Sequence, residues 1–238
     1  MFTIPAHHNG PPTSAHGGVA AGRFAEFVDP RRASVRFHTP VPLDAELRPR
    51  HVDDDPTMVE IADGASLVAT VSPCAPRPVS LRRGSSADVV AAEHGWRTGI
   101  ASDHPFPTCY ACGPQRLDGL GLRPGPVAGR GRHLTAWSPG TDGDVDPWLV
   151  WAALDCPSGM PALAEVSTDE LVVTGTIAVS IEEPVPGDEE LQIVSHLIAR
   201  SGRRLATEAA LFDASGRPLA TCTAVWLAVP RVRREQVA

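Results

Sequence analysis

Asp155 stands in a segment that is otherwise apolar, Trp148-Leu149-Val150-Trp151-Ala152-Ala153-Leu154, and Gly17-Gly18 follow His16 at the start of another helical segment. A carboxylate among tryptophans and alanines is poorly solvated, which raises its pKa and its basicity. Glycines in the first turn of a helix offer N–H groups without intrahelical partners, at the positive end of the helix dipole. Such amides bind a carbonyl oxygen that becomes negative during reaction. These are the parts for attack on an activated carbonyl, with Asp155 as base or nucleophile and Gly17 and Gly18 as the oxyanion hole. Laid over each other from His16 and Asp146, the two segments are complementary. The first has glycines where the second has Pro147-Trp148, and the second has Asp155 where the first has Ala25. The chain thus holds parts for one composite site, with the carboxylate expected roughly 5–8 Å from the amides, room for a water and a carbonyl.

Further candidates surround these. His16 orients a water or a substrate, or caps the helix start. Asn9, with donor and acceptor on one amide, is a turn former or a water holder. Trp148, Trp151 and Ser158, on the helix of Asp155, are expected to contact substrate. So is Glu26, one place beyond Ala25, which also serves as a reserve carboxylate or as a partner of Arg23. Gly22 is read as a close-packing position.

The elements that must position these groups repeat. Each helix is followed by strands with antiparallel patterning: 33–40, then 57–61 and 66–71 around the hairpin turn Asp63-Gly64; later 171–182, 190–200, 204–212 and 218–229. Pro40-Val41-Pro42 and Pro184-Val185-Pro186 end corresponding strands, the mark of a diverged internal duplication. The expected divisions are a first repeat at 1–80, a linker at 81–104 with a short helix at 87–94, a second repeat at 105–230 and a tail at 231–238. Asp146 and Pro147 form an N-cap and N1 pair, and Pro157 is expected to kink or end its helix near Gly159. One buried helix and an antiparallel sheet, twice over, make an α+β fold in which sheet wraps helix.

Composition narrows the function. The 21 basic residues are all arginines, which excludes Schiff-base chemistry on lysine, and the net charge of −7 argues against nucleic acid or a membrane surface as partner. No apolar run reaches the ~20 residues of a membrane helix, and the N-terminus lacks the pattern of a secretory signal, so a cytoplasmic setting is expected. Five cysteines are an odd number and do not suggest a disulfide framework. Cys109-x-x-Cys112-Gly113 has the spacing of half a zinc knuckle, and a full site would have to borrow Cys74, Cys156 or Cys222. A tight turn with two small half-buried thiols is the preferred reading, and no metal or other cofactor is expected.

Asn9-Gly10 followed by His16-Gly17-Gly18 resembles the Asn-Gly…His-Gly-Gly signature of hotdog-fold acyl-CoA thioesterases of the phenylacetate-pathway type. Cys109-Tyr110-Ala111-Cys112-Gly113-Pro114 and Gly119-Leu120-Gly121-Leu122 look like the lead-in many of these enzymes carry before their helix, and Asp155 falls where the family's catalytic aspartate stands. The resemblance covers both halves. It implies a double hotdog with its site between the repeats, a thioester of CoA or of an acyl carrier protein as substrate, and a homo-oligomer as a possible assembly. The runner-up is a catalytically inactive acyl-CoA or lipid-binding protein that keeps only the pocket. A hydratase on the same fold is disfavoured, because no Asp-x-x-x-x-His spacing adjoins either helix.

Overall fold

Each Pro-Val-Pro holds the entry to a helix. The Ala15 N–H donates to the Val41 carbonyl at 2.9 Å, and the Val145 N–H donates to the Val185 carbonyl at 2.8 Å, each one residue before the helix cap. In the computed structural model, which describes residues 1–76, 78–129 and 131–231, these helices are α1 (Gly17–Ala25) and α3 (Pro147–Leu163), with α2 (Ser86–Gly95) between them. The strands are β1 (Arg32–Phe37), β2 (Leu47–Val52), β3 (Asp55–Asp63), β4 (Ser66–Pro73), β5 (Gly125–Val127), β6 (Arg132–Trp137), β7 (Glu170–Ile181), β8 (Leu191–Ser201), β9 (Arg204–Phe212) and β10 (Pro218–Pro230). Of the expected tail, only Arg231 lies within the described residues.

All ten strands form one antiparallel sheet in the order β2-β3-β4-β1-β7-β10-β9-β8-β6-β5. From the central β1–β7 pair outward, β1–β4 and β7–β10 each run first, fourth, third, second strand, and β6 and β5 extend the second set, so the duplication is visible in the topology. Val35 faces Ile177 and Arg32 faces Ser180 across that seam. Val35, Ile177, Val179, Phe24, Trp151 and Leu154 share one apolar cluster with both helices. No helix among the described residues is long and apolar enough to cross a membrane.

Close approach of α1 and α3 sets the geometry of everything that follows. A Cβ on Gly22 would lie 2.7 Å from the Trp148 Cα, and one on Gly18 would lie 2.8 Å from the Ala152 Cα. With His16 laid on Asp146, these are the same contact made twice, once from each helix.

Two local expectations are corrected. Asp146 is the residue before α3, but its side chain makes no capping hydrogen bond. Pro157 does not end the helix, which continues through Pro157 and Pro161 to Leu163. Pro161 has no N–H for the Pro157 carbonyl, and the Ser195 hydroxyl on β8 donates to that carbonyl instead, at 2.6 Å.

Residues 81–104 carry α2, whose Ser85 and Asp88 form a reciprocal capping box. It packs beside β5 and β6, and a second apolar cluster there contains Leu81, Ala92, Leu134 and Phe212. His133 on β6 is buried and its Nδ1 has no partner among the described residues. Burial pushes its pKa from 6.5 down to about 4. A histidine with a depressed folded pKa makes the unfolded chain bind protons first, so stability falls as pH drops from about 6.5 towards about 4. We expect His133→Leu to flatten that slope in urea titrations, removing a loss on the order of 3 kcal/mol at full protonation. An unchanged slope would assign the acid sensitivity elsewhere.

Candidate active site

Asp155 is 2 % exposed and lies where the first turn of α1 meets the middle of α3. Its Oδ2 accepts the Gly18 N–H at 2.9 Å and its Oδ1 accepts the Thr174 hydroxyl at 2.9 Å. Burial raises its pKa above the ordinary carboxylate value, against the opposing pull of His16, the Thr174 hydroxyl and the Gly18 amide. The expected gap of roughly 5–8 Å between carboxylate and amide is therefore corrected for Gly18. Gly18 is bonded directly to Asp155, so its N–H orients the carboxylate and is not free for an oxyanion. Gly17 is different. Its N–H has no hydrogen-bond partner among the described residues, and it lines the cavity that Asp155 faces. A Cβ on Gly17 would stand 2.6 Å from Thr174 Oγ1 and 3.0 Å from Asp155 Oδ2, so only glycine brings this amide so close to the acid.

Thr174 escaped the sequence reading. On β7 the inward residues Ile177 and Val179 set a parity that would turn Thr174 away. The ladder to β10 slips there, pairing Val225 with Thr176 and Trp226 with Thr174, so Gly175 is the extra residue of a bulge. The bulge reverses the parity and re-aims Thr174 at Asp155. The signal was a glycine inside a strand pattern, which marks a bulge or a close approach.

His16 caps α1, its Nδ1 accepting the Val19 N–H at 3.2 Å. The proton then sits on Nε2, which lies 3.4 Å from Asp155 Oδ2 and 3.2 Å from Cys156 Sγ. Burial disfavours an imidazolium, but negative charge at Cys109 and Asp155 outweighs it and raises the His16 pKa. Protonating Nδ1 would break the cap. His16, Cys109 and Cys156 place donor atoms within 4.8 Å of one another. As held by the cap, though, Nε2 has no lone pair to offer a metal.

The other sequence candidates lie elsewhere. The Asn9 amide is engaged in fastening the loop of residues 108–116, donating to Thr108 Oγ1 at 3.3 Å and accepting from Arg116 at 2.9 Å, so it holds a turn and not a water. Trp148 packs on Gly22, and Trp151 donates to the Pro30 carbonyl at 2.9 Å. Ser158 donates to the Asp155 carbonyl at 2.7 Å and accepts from Trp226. Glu26 pairs with Arg23 at the surface. None of the four lines the cavity: on α3 only the face of Asp155, Cys156, Gly159, Met160 and Leu163 does so, and Glu26 lies at the C-terminal end of α1.

The cavity holds about 440 Å³. Phe37, Phe106, Met160, Leu163 and Leu227 give it apolar walls, and Asp155, Gly17 and Cys109 stand along it. Cys109 and Cys112 are each 2 % exposed, more deeply buried than expected, and Cys156 lies 3.7 Å from Cys109, sulfur to sulfur.

No family model matches the sequence, and no curated protein does. Solved structures do match. A putative thioesterase from Novosphingobium aromaticivorans is 14% identical, with 95% of this chain and 93% of that one covered at a TM-score of 0.65. An acyl-CoA thioesterase II from Mycobacterium marinum is 14% identical over 93% and 92%, with a TM-score of 0.54. A conserved protein of unknown function with a hot dog fold, from Alicyclobacillus acidocaldarius, is 14% identical over 97% and 92%, with a TM-score of 0.53. At these identities the likeness shows the fold.

Proposed function

From a hotdog fold with one acid and one free helix-start amide on a shared apolar cavity, we propose that this chain hydrolyses acyl thioesters, with acyl-CoA as substrate. One observation carries the reading: Asp155, whose carboxylate is buried, and Gly17, whose N–H has no hydrogen-bond partner among the described residues, line the same cavity. In the reaction the acyl chain lies against Phe37, Met160 and Leu227, and the thioester oxygen accepts from the Gly17 N–H. Asp155 takes the proton of the attacking water. Each of its oxygens keeps a second lone pair beyond the hydrogen bonds it already accepts. The similarity to an acyl-CoA thioesterase II supports the choice of substrate. The two halves, 1–80 and 105–230, act here as one catalytic unit with a single site, and the buried thiols of Cys109, Cys112, Cys156 and Cys222, outside any disulfide, suit a reducing, cytoplasmic setting.

The test is release of free CoA from short, medium, long and aromatic acyl-CoAs. Saturable binding without release would favour a binding protein that keeps only the pocket. Thr174→Val supplies a finer check. Losing the hydroxyl removes a bond that favours the ionised carboxylate, so the Asp155 pKa rises further. The active form is the carboxylate, and activity is lost as pH falls through that pKa. The acid limb of kcat/KM should therefore lie above the ordinary carboxylate range in the wild type and move to higher pH in Thr174→Val. An unmoved limb would separate Thr174 from the reaction.

A further inference from the structure

Three cysteine sulfurs and two imidazoles meet beside Asp155, and the hydrolysis described above uses none of the sulfurs. Their protons can be placed from the outside in. The Phe106 N–H donates to His104 Nδ1 at 3.1 Å, and the Val19 N–H donates to His16 Nδ1 at 3.2 Å. Two backbone amides, which cannot be acceptors, thus fix both rings with the proton on Nε2. His104 Nε2 lies 3.3 Å from Cys112 Sγ, and His16 Nε2 lies 3.2 Å from Cys156 Sγ. Each ring donates to its sulfur. Cys112 in turn donates to Cys109 over 3.8 Å, and the Cys156–Cys109 contact of 3.7 Å can be bridged by either proton; we assign it to Cys156, which already accepts from His16. Two donor chains, one from each histidine, end on one sulfur.

Cys109 is where both chains stop. A sulfur that receives two S–H donors, with His16 within 4.8 Å, is stabilised as a thiolate. It lines the acyl cavity together with Asp155 and Gly17. The bonds from Cys112 and Cys156 hold the Cys109 thiol well below its usual range, while those to Cys109 push Cys112 and Cys156 above theirs.

We propose that Cys109 is a covalent nucleophile at this site, taking the acyl group from the thioester before water removes it. The inference rests on the thioester reading above. The Cys109 thiolate attacks the acyl carbonyl and a new carbon–sulfur bond forms. The bond to the CoA sulfur breaks, its electron pair leaves with CoA, and the departing thiolate takes a proton from solvent. One thioester replaces another, so no oxidant or energy source is needed. Asp155 then takes one proton from the water that attacks S-acyl-Cys109, the carbon–sulfur bond breaks with its electron pair returning to the Cys109 thiolate, the carboxylic acid leaves with the other proton, and Asp155 gives its proton back to solvent.

The experiment uses the full chain and the panel of acyl-CoAs. In Asp155→Asn, where water is no longer activated, intact-protein mass should rise by one acyl group, with one equivalent of CoA released and the adduct mapped to Cys109. Cys109→Ser and Cys109→Ala should lower kcat at least about 100-fold. Iodoacetamide at mildly acidic pH should label Cys109 of the wild type ahead of the other four cysteines, and replacing Cys156 by Ala should slow that labelling. CoA release at the wild-type rate in folded Cys109→Ala, with no adduct in Asp155→Asn, would overturn the proposal and leave the hydrolase standing. An adduct on Cys109 that the wild type never hydrolyses would support the proposal and overturn the hydrolase. Neither adduct nor release from any acyl-CoA would overturn both. If the Cys109 variants do not fold, the adduct on Asp155→Asn decides alone.

Discussion

Asp155→Asn should lower the rate of thioester hydrolysis by about 10²–10⁴-fold while leaving acyl-CoA affinity nearly unchanged. The size follows from what the substitution removes. Asparagine keeps the shape, and its carbonyl oxygen still accepts the Gly18 N–H. Its amide donates to Thr174 Oγ1, which turns from donor to acceptor, so both bonds that hold Asp155 survive in altered form. What disappears is the proton acceptor. Affinity is measured calorimetrically with a non-hydrolysable acyl-CoA thioether, and turnover by CoA release. The acid limb of the pH profile should vanish with the carboxylate, because an amide does not titrate in that range. Loss of rate and affinity together would mean that Asp155 only supports the fold.

A methyl group on the neighbouring glycine should have the largest effect on stability. In Gly18→Ala the new Cβ would lie 2.5 Å from the Trp151 carbonyl oxygen, 2.6 Å from the Asp155 Cβ and 2.8 Å from the Ala152 Cα. Two of these three are backbone atoms inside a helix and cannot swing away. The helices must part, and α1 is also packed against β1 and β7. We expect a cost of about 3 kcal/mol or more, lowering Tm by roughly 6–12 °C in a chain of this size. Gly17→Ala is the control. Its nearest neighbours are side-chain atoms, Thr174 Oγ1 at 2.6 Å and Asp155 Oδ2 at 3.0 Å, so it should melt closer to wild type and lose more of its rate. Equal melting of Gly18→Ala and wild type would show that the helices are not locked here.

The long strands β7 to β10 were legible because each runs nine or more residues, mostly apolar, between turn signals, and β10 alternates along its length. Those of the first half were readable where a turn signal helped, as at Asp63-Gly64. The unread strands were β2, β5 and β6. β2 and β5 are the two edges of the sheet, and edges are kept short or broken on purpose. β2 carries Pro49 among Arg48, Arg50 and His51, a composition that reads as loop, and β5 has three residues. The glycine pair and Asp155 were found because each breaks the pattern of its own helix. Which glycine amide stays free was beyond the sequence, since it depends on how α1 is rotated against α3. Three of the four residues expected on the substrate, Trp148, Trp151 and Ser158, were misplaced for the same reason. Spacing along α3 gives a stripe, but the stripe of Trp148 and Trp151 packs on α1 and Pro30, and only the adjacent face meets the cavity.

The paired contacts of Gly18 with Ala152 and Trp148 with Gly22 bear on how such a protein can change over generations. When two identical subunits share an interface, every substitution appears twice, and a bulky residue introduced at one site blocks both. Joined in one chain, the copies mutate independently. Here a proline and a tryptophan occupy the image of the glycine pair, and an alanine the image of the acid. Trp148, whose Cα, carbonyl oxygen and Cβ crowd Gly22, braces the helix pair at the end away from Asp155. Because that contact mirrors Gly18 on Ala152, loosening it would shift the same helix pair that aligns Asp155 with the first turn of α1.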